Sequence, residues 1–144
     1  MRLVTFAVLA LLTVSSCTST TPAKPRVLYA ERIGSGDRAV VVLPGLLGST
    51  RYWQDSGFEQ LAGTHTVLLV DPLGFGRSPK PKHGYTLEDH LTTLHEAMQR
   101  NGATSGVTIV GHSFGALLAI QYAAAYPEEV DQLFLLGTPL FADD

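Results

Sequence analysis

The sequence predicts an α/β fold, a mostly parallel sheet flanked by helices, and two observations carry that prediction. Short runs rich in β-branched residues or leucine recur at residues 39–43, 66–70, 107–110 and 133–136, and each stops at a turn bearing Gly or Pro. Between them lie stretches with helical signals, and strands that alternate with helices build parallel sheets through right-handed crossovers. Composition agrees: 45% of the 144 residues are hydrophobic and 16% are charged, enough apolar material for a core.

The chain starts with an address. Residues 1–17 read MRLVTFAVLALLTVSSC, with Arg2 ahead of a 12-residue apolar run over residues 3–14. A spanning helix needs about 20 apolar residues, so the run is too short to cross a bilayer. It fits the apolar region of a secretory signal peptide, about 7–15 residues long, over residues 1–16. The alternative is a buried N-terminal helix or strand. Val14-Ser15-Ser16-Cys17 resembles the bacterial lipobox, which implies that Cys17 carries acyl chains and holds an exported protein at a bacterial cell membrane. Plain cleavage beside Ser16 would leave Cys17 a free thiol. Residues 18–25, TSTTPAKP, then read as a polar tether.

The domain itself is expected over residues 26–144. Residues 26–33 form a first strand or hairpin arm, closed by Gly34-Ser35-Gly36-Asp37. Residues 39–43 (AVVVL) are apolar on both faces, as in a strand buried inside a parallel sheet. Residues 51–62 are a weaker helix candidate, interrupted at Ser56-Gly57. Residues 66–70 (TVLLV) repeat the strand pattern and end at Asp71-Pro72. A helix begins after Thr86, a cap residue followed by Glu88 and Asp89, and Leu87, Leu91, Leu94 and Met98 make its apolar stripe up to Asn101-Gly102. Residues 107–110 (VTIV) lead into a second helix from Ser113 to about Tyr126, where Pro127 ends it and Ala123-Ala124-Ala125 suit close approach to a sheet. Residues 133–136 (LFLL) are the last strand.

Several function classes drop out. The net charge of −3, with no block of Lys or Arg, excludes a dedicated nucleic-acid binder. A single cysteine permits neither an intramolecular disulfide nor a multi-cysteine zinc site. His90 and His95 are five apart and do not share a helical face, so no metal pair is predicted.

Ligands of open α/β sheets bind beyond the carboxyl ends of the strands, and three such ends carry chemistry. The strongest is Gly111-His112-Ser113-Phe114-Gly115. G-x-S-x-G alone is weak, but here it follows a β-rich run and opens a small-residue helix, the strand–turn–helix setting the motif requires. Gly111 and Gly115 leave room for a sharp turn that presents the Ser113 hydroxyl at a helix N-terminus, where developing negative charge is favoured. A helix-capping serine is the plainer reading, although a cap needs no flanking glycines. The second end is Leu43-Pro44-Gly45-Leu46-Leu47-Gly48-Ser49. An acyl-transfer site needs two N–H donors for its oxyanion, and the amides of Leu46 and Phe114 are the candidates. No G-x-x-x-x-G-K-[ST] is present, so a phosphate loop is discounted. The third, Asp71-Pro72-Leu73-Gly74-Phe75-Gly76-Arg77-Ser78, reads as a tight loop walling the site and pinned by Arg77 and Ser78.

LPGLLGS, DPLGFGRS and VGHSFGA, in that order, resemble the serine-nucleophile (esterase and lipase) branch of the α/β-hydrolase fold family, from about Arg26 onward. The resemblance implies a carboxylic ester hydrolase working through an acyl-enzyme on Ser113 and acting on small-molecule esters without cofactor or metal. It also implies an oxyanion hole at Leu46 and Phe114, and a nucleophile turn after the fifth strand. Many members carry His-Gly where this chain has Pro44-Gly45; the donor is a backbone amide, so the hole survives. Members with an Asp nucleophile, the epoxide hydrolases and haloalkane dehalogenases, do not match Ser113.

Family order is Ser, then acid, then His. All five histidines, His65, His83, His90, His95 and His112, come before Ser113. His112 is expected to pack away from the serine hydroxyl, and His83, His90 and His95 to lie on the surface. Asp143 and Asp144 are acids by position but read as a solvated end. The sequence therefore predicts the N-terminal part of a hydrolase, stopping after about the sixth strand, with acid, His and cap supplied further on. The alternative is a catalytically silent lipoprotein or hydrolase remnant.

Overall fold

The computed structural model describes residues 26–139. The expected signal peptide, Cys17 and its tether, and the acids Asp143 and Asp144 lie outside the described residues. In chain order come β1 (Ala30–Ile33), β2 (Arg38–Leu43), two short 3-10 turns (Thr50–Trp53 and Phe58–Leu61), β3 (His65–Val70), α1 (Leu87–Arg100), β4 (Val107–His112), α2 (Phe114–Ala125) and β5 (Val130–Leu136).

The strands form one sheet in the order β1-β3-β2-β4-β5. β2 pairs in parallel with both β3 and β4, β4 pairs in parallel with β5, and β1 closes the other edge antiparallel to β3. The α/β expectation holds. The strand count does not: there are five among the described residues, not about six, and the Ser113 turn follows the fourth. The early stretch, expected over residues 26–33, contributes only its second half, Ala30–Ile33, to the sheet.

The apolar runs explain the layering. Val41, Leu43, Leu68, Val70 and Ile109 face a core closed by Leu94, Ala97 and Met98 of α1 and Leu118, Ala119 and Tyr122 of α2. On the opposite face Val40, Val42, Val67 and Leu69 pack beneath Trp53, Phe58 and Leu61 of the 3-10 turns. β2 and β3 are thus covered on both sides, as their unbroken hydrophobic runs require. Residues 51–62 fail to make one helix because Asp55 (φ 64°) and Gly57 (φ 89°) adopt left-handed backbone between the two turns.

α1 starts as the sequence predicts. The Thr86 hydroxyl accepts from the Asp89 amide while the Asp89 carboxylate accepts from the Thr86 amide, a complete capping box. The Thr86 hydroxyl and amide, helped by Arg26, hold the Asp89 carboxyl below the usual carboxylate range. Its buried face is rotated from the expected stripe: Leu94 and Met98 are buried with His90, Thr93 and Ala97, whereas Leu87 is exposed in the first turn. On α2 the small residues that meet the sheet are Gly115, Ala116 and Ala119. Ala124 and Ala125 of the expected alanine run are exposed, because they lie off the helix face that carries Ala119, Tyr122 and Tyr126 onto the core.

Candidate active site

Three parallel strands deliver three loops to one edge of the sheet: the glycine turn after β2, the Asp71 loop after β3, and the turn from β4 into α2. Ser113 sits at the tip of the last with φ 50° and ψ −111°, a strained conformation for a residue with a side chain. Its hydroxyl makes no capping hydrogen bond, which removes the plainer reading of it as a helix cap. The turn is fixed through its backbone: the Ser113 N–H donates to the Leu136 carbonyl at 2.9 Å, and the Ser113 carbonyl accepts from the amides of Ala116 (3.0 Å) and Leu117 (3.2 Å).

The flanking glycines are needed for close approach. A methyl group on Gly111 would stand 2.5 Å from the Gly115 carbonyl oxygen and 2.7 Å from Ala116 Cα. One on Gly115 would collide with the carbonyl oxygens of Leu43 and Pro44. Any side chain at either position would drive α2 off the ends of β2 and β4.

Gly45 brings the second loop against the first. A methyl there would lie 2.9 Å from His112 Nδ1 and 3.3 Å from Ser113 Cβ. The turn is closed by the Gly48 N–H donating to the Gly45 carbonyl at 2.9 Å. Among the described residues the amides of Leu46 and Phe114 donate no hydrogen bond. His112 packs as expected, its ring stacked on Tyr52 at 5.6 Å and edge-on to Trp53 at 6.5 Å.

The third loop is pinned by a residue that sequence reasoning passed over. Asp71 is fully buried, and its carboxylate accepts from the Thr50 amide at 2.5 Å and the Arg77 amide at 2.7 Å. It therefore ties the loop after β2 to the loop after β3. The signal was a lone acid directly after the apolar run Val67–Val70 of β3. Ser78 does pin the loop, donating to the Asp71 carbonyl and accepting from the Tyr29 amide at 2.8 Å. Arg77 pins through its backbone, while its guanidinium lies 3.9 Å above the Tyr29 ring.

Of the histidines expected on the surface, His90 is buried and His95 is half-buried. His90 is buried edge-on against Phe114 (5.4 Å), its Nδ1 has no partner among the described residues, and burial pushes its pKa down against a smaller opposing pull from Asp89. Its helical position places it between α1 and the elbow, in a space where the amphipathic pattern had no apolar residue. His95 stacks on Tyr126 at 4.2 Å, and its Nδ1 lies 3.0 Å from the Tyr122 hydroxyl, more than two turns along α2 from Ser113. His83 is exposed, as expected. None of these rings hydrogen-bonds the Ser113 hydroxyl among the described residues.

A strained serine in a tight turn between a parallel strand and a helix, with the glycine turn after β2 packed against it, defines a strand–elbow–helix protein of the α/β class. Comparison with known proteins agrees. The family model described as alpha/beta hydrolase fold matches residues 38–144. The chain belongs to the α/β-hydrolase fold family. It is 34% identical over 104 residues to Probable lysophospholipase BODYGUARD 4 of Arabidopsis thaliana, covering 71% of this chain and 25% of that protein. It is 32% identical over 117 residues to Lipase 3 of Moraxella sp. (strain TA144), covering 81% and 36%. Among solved structures a marine microorganism esterase superposes with a TM-score of 0.70 at 31% identity, covering 77% of this chain and 41% of that one. The chain thus spans a quarter to about two fifths of the length of these proteins.

Proposed function

We propose that this chain is part of a serine hydrolase that cleaves carboxylic esters of small molecules through an acyl-enzyme on Ser113. The observation that carries the reading is the strained Ser113 (φ 50°), held at a helix N-terminus beside the free amides of Leu46 and Phe114. The Ser113 oxygen adds to the ester carbonyl carbon as a base takes its proton, and the oxyanion accepts from the two amides. Collapse expels the alcohol, which leaves with that proton, and water then releases the acid by the same steps in reverse. The lipase and lysophospholipase names of its relatives support an ester substrate. Acid and His are assigned to sequence beyond residue 144. The chain is further read as exported and lipidated at Cys17, on the strength of residues 1–17.

A second reading, an inactive hydrolase remnant, draws on the lack of any imidazole hydrogen-bonded to Ser113 among the described residues. Loss of the base of such a site costs about 10⁶ in turnover. The whole gene product is the material for the test. Hydrolysis of short p-nitrophenyl esters together with fluorophosphonate labelling that disappears in Ser113→Ala supports the hydrolase. A folded product that neither hydrolyses nor labels establishes the remnant.

A further inference from the structure

The loop between β3 and α1 carries a charge pattern that the hydrolase reading does not use. From Pro72 to Leu87 the chain contains Arg77, Lys80 and Lys82 and no acid. Lys80 and Lys82 are exposed, and Tyr85 and Leu87 beside them are 45% and 47% exposed, large apolar side chains next to cations. Glu31 faces Arg77 at 3.5 Å and the Asp89 carboxylate is occupied by Arg26 at 2.7 Å; the Lys80 ammonium donates to the Gly76 carbonyl at 2.5 Å, and among the described residues neither lysine is in a salt bridge. Basic residues interleaved with aromatic and aliphatic ones suit the interface of an anionic bilayer: charge attracts the headgroups and the apolar side chains enter just below them.

The point where the chain enters the domain lies on this same loop. Arg26 donates to the carbonyls of Gly84 (3.1 Å) and His83 (3.3 Å) as well as to Asp89. Residues 18–25 separate it from Cys17, a span of at most about 30 Å even when fully extended. An anchor at Cys17 would therefore keep the loop within reach of the membrane and raise its effective concentration there. The loop also lies on the catalytic edge of the sheet, since β3 and β4 run in the same direction beside β2 and Phe75 meets Phe114 edge-on at 6.1 Å. Leu46 and Leu47, 64% and 84% exposed, project from that edge as well.

We propose that Lys80, Lys82, Tyr85 and Leu87 form a docking surface for an anionic lipid leaflet, which turns the Ser113 edge toward the membrane. The proposal rests on the export reading and is independent of catalysis. The test uses the whole gene product from Thr18 onward, so that neither the apolar leader nor a lipid contributes. It is mixed with vesicles of phosphatidylcholine containing about one third phosphatidylglycerol, or of phosphatidylcholine alone, and binding is read by flotation. The expected result is binding to the anionic vesicles that weakens with salt and falls about tenfold in Lys80→Gln/Lys82→Gln. Leu87→Ser, on an exposed side chain, should weaken it as well while the thermal midpoint stays put. No flotation overturns the proposal. So does equal binding to both vesicle types, or binding that neither variant changes, which would assign the loop to a protein partner or to another part of the chain.

Discussion

The Tyr122 hydroxyl donates to Glu129 Oε2 at 2.6 Å, joining the end of α2 to the residue that precedes β5. Gln99 donates to the other Glu129 oxygen at 2.9 Å, so the buried carboxylate also holds α1. Burial first, then the Glu129 hydrogen bond, pushes the Tyr122 phenol far above its ordinary value. In the unfolded chain that phenol loses its proton near pH 10, whereas in the folded chain it keeps it. The folded state then binds more protons, so stability falls as pH rises above 10. Tyr122→Phe should lose about 1–3 kcal/mol at pH 7 by leaving Glu129 underpartnered, and should flatten the alkaline limb. Urea midpoints at pH 7 and above pH 10 check both.

His90 gives the acid limb its slope. Its pKa is lowered in the folded chain, so the unfolded state binds the extra proton as pH falls through 6.5. The stability contributed by neutral His90 is complete above that value and is lost below it. His90→Leu keeps an apolar side chain of similar bulk against Phe114 and removes the unpartnered Nδ1. Little change is expected at pH 8, and at pH 5 the variant should be more stable than the parent. A urea midpoint equal to the parent's at pH 5 would count against this account.

Strain at Ser113 predicts a trade between stability and activity. A left-handed non-glycine residue costs about 1–3 kcal/mol, and glycine does not pay it. Ser113→Gly should therefore raise the denaturation midpoint, while Ser113→Ala, which keeps the strain, should not. Both abolish fluorophosphonate labelling of the whole gene product. Thermal melts of the three proteins side by side decide the matter.

Gly45→Ala tests how tightly the glycine turn after β2 is seated against Ser113. The new methyl meets His112 Nδ1 and Ser113 Cβ, so labelling should slow at least tenfold, with about 1–3 kcal/mol lost in stability. His112→Ala removes one of the two obstacles. Combining the substitutions should recover part of the lost stability, a non-additivity expected of residues in contact.

The sheet was legible because strands buried on both faces leave unbroken apolar runs, as residues 39–43 and 66–70 do. The elbow was legible because only glycine fits at positions 111 and 115. What escaped were side chains whose partners are distant in sequence. Asp71 looks like a loop acid until Thr50, 21 residues earlier, is seen donating to it. His95 looks solvated until Tyr122, 27 residues later, comes beside it. The face of α1 was misjudged for the same reason: periodicity finds an apolar stripe, but the contact with Phe114 decides which residue turns inward, and it is His90. The break at Ser56-Gly57 was legible, but not that each side is a short 3-10 turn, because left-handed Asp55 leaves no mark in a hydrophobic pattern.

The hydrogen bond from Ser113 N–H to the Leu136 carbonyl bears on timing. That bond forms only when the strand ending at Leu136, 23 residues further along the chain, is paired with β4. A nascent or unfolded chain lacks it, and its serine backbone is free to relax to ordinary dihedrals. On the proposed hydrolase reading, competence then depends on the β4–β5 pairing as well as on the glycines of the turn.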